Sequence, residues 1–308
     1  MELERVHPEL REPVRRAPTV DARNRVVRGL IRFATRHLLR PARVPGVRIS
    51  DVAAGTARVR LYTPQHGSGA ALVWVHGGGM VIGAPRQDDR LCAHLAAELG
   101  IVVASVDYRL APEHPFPAPQ EDCRAVWDWL VHNAAALSVD ATRVAVGGAS
   151  AGAGLAACLV NELRDSGGVG PVAQWLLYPM LDDRTAARQE LDQIDHFVWN
   201  NAANRFGWSA VLRGVAVPGA PDVPHAAVPA RRTDLAGLPP TWIGVGDLDL
   251  FYDEDADYAA RLRESGVPVV LEVVPGAPHG FESLAPEAPV VIELMERARE
   301  WLRDAVSR

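Results

Sequence analysis

From Val47 onward, short runs of β-branched and apolar residues alternate with segments of helical pattern, and this alternation constrains the fold more than any other feature. Strands are predicted at 47–53, 57–63, 71–76, 101–107, 143–148, 172–178, 241–246 and 268–274. The first two are joined by "AAGT" and read as a hairpin. The later ones are continuous apolar runs such as "ALVWV" and "IVVASV", the pattern of strands buried on both faces. Helices are predicted between them at about 87–99, 118–136, 151–165, 253–265 and 287–306. Such a pattern specifies an α/β protein with a mostly parallel sheet of eight strands, covered by helices on both sides.

One interval breaks the rhythm. Over sixty residues, about 179–240, separate the sixth and seventh strands. They hold the aromatic, helix-patterned "IDHFVWNNAANRFGWSAVL" and the proline-rich "VPGAPDVPHAAVPA". An interval this long is expected to be a lid or inserted subdomain rather than bare loop. At the other end, the first 40 residues carry ten arginines and five acids. Val26, Val27, Leu30, Ile31, Ala34 and Leu38 recur there at helical spacing. A membrane-surface helix or a transit peptide would also read this way. Glu2, Glu4, Glu9 and Glu12 speak against the transit peptide, and the expectation is a helix packed on the rest of the protein.

Composition narrows the function. A formal net charge of −6 argues against nucleic acid as a partner. All 32 basic residues are arginine, for which no physical reason is evident. The three cysteines, Cys92, Cys123 and Cys158, have no CxxC spacing, and the ten histidines show no HExxH, so no metal is expected. An odd cysteine count without a signal peptide fits a cytoplasmic location. No apolar run approaches a membrane span, so stable membrane insertion is not expected.

In an open parallel sheet, ligands bind beyond the carboxyl ends of the strands. After "ALVWV" comes "HGGGMVIG", residues 76–83, whose successive glycines let backbone N–H groups converge on an anion. After "VAVGGA" comes Ser150, flanked by Gly148 and Gly152 in G-A-S-A-G. Serine is also a common helix N-cap, so a nucleophile on a sharp strand-to-helix turn and a mere cap are both open at this point. After "TWIGVG" come Asp247 and Asp249, and after "PVVLEVVPG" comes His279 in "APHGF". The order Ser, Asp, His is that of the α/β-hydrolase arrangement, each residue following a separate strand. One of the two aspartates is expected only to close a turn. Asp247, nearest the strand, suits that role, and Asp249 lies where a carboxylate can reach His279.

The chain resembles the hormone-sensitive-lipase-like α/β-hydrolases, the bacterial family IV esterases. The residues carrying the resemblance are "HGGG" at 76–79, "DYRLAPEHPFPAPQED" at 107–122, "GASAG" at 148–152, "YPMLDD" at 178–183, "DLFYDE" at 249–254 and "HGF" at 279–281. It extends from about residue 45 to the end and is weaker in the N-terminal helices. The resemblance implies catalytic Ser150, Asp249 and His279, with an oxyanion hole from the N–H groups of Gly78, Gly79 and Ala151. It makes His76 a support of the oxyanion loop. It implies a cap built from N-terminal helices, 1–45, and an insertion, 181–228, on a core formed by 46–180 and 229–308. It also suggests a homodimer through the final strand.

The expected activity is hydrolysis of short- to medium-chain acyl esters through an acyl-enzyme, with no cofactor and a small ester as the only substrate partner. Met80, Val81, Phe197, Trp199, Phe206 and Trp208 are candidate pocket residues, each equally suited to cap core. Glu121 and Asp122 read as a helix start with a structural role. The same triad would serve an amidase or acyltransferase. A non-catalytic binding module is the other class; plant gibberellin receptors resemble the family but lack the histidine that is present here. Three positions depart from the family pattern. Ala149 stands where Asp or Thr is usual, Ala153 where Gly is frequent and Leu250 where Pro is frequent. At Ala149 a polar contact is missing, so loop anchoring and behaviour in acid are expected to differ.

Overall fold

Each of the eight expected strands forms, and together they make one sheet in the order β1-β2-β4-β3-β5-β6-β7-β8. The computed structural model describes residues 1–17 and 21–307; positions 18–20 and 308 of the expected N- and C-terminal segments lie outside the described residues. The strands are β1 (Val47–Ala54), β2 (Ala57–Pro64), β3 (Ala71–Val75), β4 (Val102–Asp107), β5 (Val144–Ala149), β6 (Gln174–Leu177), β7 (Thr241–Gly246) and β8 (Val269–Val274). β1–β2 and β2–β4 pair antiparallel, and every other neighbour pairs parallel. The helices are α1 (Arg11–Arg16), α2 (Arg25–Phe33), α3 (Asp89–Leu99), α4 (Ala118–His132), α5 (Ala151–Ser166), α6 (Asn201–Val211), α7 (Tyr252–Glu264), α8 (Phe281–Leu284) and α9 (Pro289–Ser307).

The all-apolar strands exist because both faces of the sheet are buried. In β3, Val73 and Val75 join one cluster with α4, α5 and α7, while Leu72 and Trp74 join another with α3 and α9. One register row runs Trp74, Gly147, Trp175, Trp242. Gly147 has no side chain to separate its neighbours, so the Trp74 and Trp175 rings meet across β5 at 5.4 Å, with Trp242 at 6.2 Å from Trp175. Because β3, β5, β6, β7 and β8 run parallel, the segments following them all leave at one edge of the sheet. That edge holds His76–Gly79, Ser150, Tyr178, Asp247–Asp249 and His279.

Three expectations are corrected. The helix expected over 118–136 stops at His132, where the Asn133 side-chain amide donates to the Trp129 carbonyl at 2.7 Å and closes the last turn. In the interval after β6, the helical pattern of 194–212 yields a helix only from Asn201, since the Asn200 side chain caps it by accepting from the Ala203 N–H.

The third correction concerns α2. The helix does sit on the body, but Arg28 and Arg32 face inward, as does Arg36 on the turn Ala34–Leu38 that continues it. Arg28 is only 6% exposed, with its guanidinium 5.4 Å from the centre of the Phe206 ring. Arg32 donates to the carbonyls of Val81 and Ala111 and pairs with Glu113, and Arg36 pairs with Asp107. Val27, Ile31 and Ala34 are half-buried, whereas Val26, Leu30 and Leu38 are exposed. The guanidinium fork fits carbonyl oxygens that an apolar side chain would leave unpaired, so polar satisfaction overrides the hydrophobic pattern.

Candidate active site

Ser150 stands between the last residue of β5 and the first of α5, with φ +54° and ψ −124°. A side chain in that region costs on the order of 1–3 kcal/mol. The backbone around it is held firmly. The Ser150 N–H donates to the Leu177 carbonyl, and the Ser150 carbonyl accepts from Gly154 and Met180. Helix and strand approach so closely that a Cβ on Gly152 would lie 2.1 Å from the Val75 oxygen. The Ser150 hydroxyl makes no capping bond to α5. It lies 2.8 Å from His279 Nε2 instead, which decides against the cap reading.

His279 occupies the loop after β8, with its Nδ1 2.8 Å from Asp249 Oδ2. A carboxylate oxygen only accepts, so Nδ1 is the donor and Nε2 is left to accept the serine proton. The other Asp249 oxygen accepts from the Phe251 N–H at 2.9 Å. All three side chains are nearly buried: Ser150 is 5%, Asp249 5% and His279 6% exposed. The imidazole is clamped edge-on by Tyr178 and Phe251, at ring distances of 4.7 and 5.2 Å. Asp247 is elsewhere, exposed, and accepts from the Gly276 N–H at 2.6 Å across the turn that follows β8.

The sequence model of the alpha/beta hydrolase fold matches residues 72–283. The chain is 34% identical to an ethyl acetate hydrolase of Pseudomonas putida, over 73% of this chain and 71% of that one. It is 32% identical to the esterase LipI of Mycobacterium tuberculosis, over 89% and 87% of the two chains. Among solved structures, a bacterial heroin esterase superposes with a TM-score of 0.92 at 35% identity, covering 99% of both chains. The chain belongs to the hormone-sensitive-lipase-like esterases of the α/β-hydrolase superfamily.

In this hormone-sensitive-lipase-like chain the N–H groups of Gly78, Gly79 and Ala151 donate to no acceptor among the described residues. Ala151 opens α5, where a helix leaves its N–H groups unpaired and favours negative charge. Gly79 has φ +59°, and a Cβ there would fall 2.3 Å from the Trp199 ring, so only glycine fits beneath that indole. Trp199 thus covers the glycine loop, and its ring lies 6.5 Å from that of His279. Of the candidate pocket residues, Trp199 lies against the glycine loop and near His279. Met80 and Val81 are buried in the loop behind them, where the Met80 carbonyl accepts from Ala111 and that of Val81 from Arg32. Trp208 is fully buried in the core, Phe206 lies under Arg28, and half-buried Phe197 packs on the cluster containing Tyr178 and Phe281.

His76 stacks on Tyr108 at 4.3 Å, and its Nδ1 donates to the Gly77 carbonyl at 2.9 Å. It braces the glycine loop and makes no hydrogen bond to Ser150. Asp122 accepts from the backbone and side chain of Arg109, with Glu121 alongside, so both acids hold "YRLAPE" to α4.

Two groups went unrecognised in the sequence. Tyr178, with φ +36°, clamps His279 while its hydroxyl donates to Glu282. Buried Glu254 accepts from the N–H groups of Leu181 and Asp182 and the hydroxyl of Thr185, tying α7 to the segment after β6. Both lie within the quoted "YPMLDD" and "DLFYDE", but nothing in those letters specified their partners.

Burial pushes the His76 imidazole down to about 4. The unfolded chain binds its proton from about 6.5 downward, so it takes up a proton that the folded chain refuses until about 4. Stability from this residue is complete above pH 6.5 and falls as pH drops towards 4, by roughly 3 kcal/mol. Denaturant unfolding of His76→Asn is expected to give a flatter loss of stability over that window than the parent protein. Parallel curves would reject the assignment. Asp88, raised to about 7 by burial, acts in the opposite sense and equally in both proteins, so the comparison isolates His76.

Proposed function

We propose that the chain is a serine carboxylesterase for short- to medium-chain acyl esters, with Ser150, His279 and Asp249 as its triad. Ser150 Oγ attacks the ester carbonyl carbon while its proton passes to His279 Nε2. Asp249 holds the imidazole by Nδ1 and stabilises the imidazolium. The N–H groups of Gly78, Gly79 and Ala151 receive the oxyanion; one such donor is typically worth about 10²–10³ in rate. The C–O bond then breaks, the alcohol leaves with the proton from Nε2, and an acyl-serine remains. Water, deprotonated by the same nitrogen, attacks that acyl group and restores the serine. The observation carrying the reading is the unbroken hydrogen-bonded chain from Ser150 through His279 to Asp249.

The domain reading is that 1–45 and 181–228 form a cap over a core of 46–180 and 229–308. The reach of Arg32 to Val81 and the seat of Trp199 on Gly79 support it. The rigid indole over the glycine loop favours short acyl chains, and a relative named for ethyl acetate hydrolysis points the same way. β8 is an open edge with Val270 and Val273 exposed, which supports a homodimer there. Three buried free thiols support a reducing, cytoplasmic setting.

The test is intact-mass measurement after a fluorophosphonate, paired with a p-nitrophenyl ester series. One adduct at Ser150 is expected, absent in Ser150→Ala, with acetate, butyrate and hexanoate turned over faster than palmitate. Folded protein without an adduct would sink the enzyme reading. Faster palmitate turnover would sink only the chain-length reading.

A further inference from the structure

The reversed helix α2 leaves an apolar stripe facing outward. Val26, Leu30 and Phe33 of α2, and Leu38 on the helical turn Ala34–Leu38 that continues it, are 70%, 64%, 56% and 65% exposed, while Arg28, Arg32 and Arg36 are spent on the body beneath. Along the chain this segment carries charge of one sign, and the acids that meet it, Glu113 and Asp107, are paired with Arg32 and Arg36. Residues 22–50 hold eight arginines and no acid, in a chain of net charge −6. Arg25, Arg40, Arg43 and Arg48 are exposed and make no ion pair among the described residues. We propose that this face docks on an anionic lipid surface, with the stripe lying in the interface and the free arginines on lipid phosphates.

Charge complementarity selects that occupant. A second copy seated on the stripe through a two-fold axis would bring the same arginine-rich segment against itself, a like-charge contact. An anionic bilayer instead offers hydrocarbon to the stripe and negative headgroups to its rim. Docking is peripheral, because no helix of the described residues is long and apolar enough to cross a membrane. It requires no rearrangement, because Arg28, Arg32 and Arg36 already fix which side of α2 faces out. The inference is independent of the ester-hydrolase reading, since binding is measured without turnover.

The test is co-flotation of the full chain with phosphatidylcholine vesicles, with and without phosphatidylglycerol, at low and high salt. Binding is expected only to the anionic vesicles and should weaken with salt. Arg25→Gln/Arg40→Gln/Arg43→Gln should bind roughly a hundredfold more weakly, at about fivefold per arginine. Leu30→Ser/Phe33→Ser should bind at least about tenfold more weakly. Both variants alter exposed side chains, so thermal unfolding and hydrolysis of a soluble ester should match the parent. Equal binding to neutral vesicles, or none to anionic ones, would overturn the proposal. So would a parent dimer that Leu30→Ser/Phe33→Ser dissociates without any vesicle binding, which would assign the stripe to a second copy.

Discussion

Ser150→Ala is expected to lower kcat on p-nitrophenyl butyrate by about 10⁴–10⁶ while leaving the fold intact. Among the described residues the Ser150 hydroxyl bonds only to His279 Nε2, and its elbow is held by backbone contacts to Leu177, Gly154 and Met180 that alanine preserves. The melting temperature should therefore move little. His279→Ala removes the proton acceptor and should cost about as much. The double variant should be hardly worse than either single one, because a nucleophile without its base and a base without its nucleophile are equally idle. Residual hydrolysis should reflect the glycine loop and substrate binding alone. Activity in purified Ser150→Ala above about a hundredth of the parent would reject Ser150 as nucleophile. Additive losses in the double variant would reject a single hydrogen-bonded unit.

The framework was legible because buried parallel strands are continuous apolar runs, and the chemistry follows the strand ends. β7 lies where expected to the residue, and the other strands differ from the reading by a residue or two at their ends. Tyr178 shows the limit. Its φ of +36° ends β6 one residue earlier than the apolar run suggests, and turns the ring onto His279. A propensity argument has no term for a strained residue held by its surroundings. Trp199 was one aromatic among several in an aromatic interval. Its selection depends on a short turn in which its N–H donates to the Phe197 carbonyl, and on a glycine more than a hundred residues away that makes room for it.

The error at α2 has a sharper cause. Hydrophobic periodicity identifies the helix and its packing on the body, but not which residues face the body. The body beneath α2 presents carbonyls of Val81 and Ala111 and carboxylates of Glu113 and Asp107, brought together from distant stretches. Such a surface exists only after the fold has formed, so arginine is drawn inward by partners that local sequence does not display. Val26, Leu30, Phe33 and Leu38 are then left outside, which is why this segment points to a further partner.

Asp249→Asn and Asp247→Asn, two residues apart, should differ by more than a thousandfold in kcat. In Asp249→Asn the side-chain amide can turn its NH₂ towards His279 Nδ1. The imidazole then keeps its proton on Nε2, where it faces Ser150 as a donor and cannot accept. A loss of about 10⁴ in kcat is expected, since geometry survives but the tautomer is wrong. The same change at Asp247 leaves an amide oxygen that still accepts from the Gly276 N–H, so the turn after β8 stays closed. Activity there should remain within about threefold, because a surface substitution that keeps its hydrogen bond is nearly neutral. Steady-state kinetics on both variants, with circular dichroism to show that each is folded, separates the roles. The opposite ranking would mean that the 2.8 Å contact between Asp249 and His279 is not the one that orients the base. It would also mean that the loop carrying His279 must shift to bring Asp247 within reach.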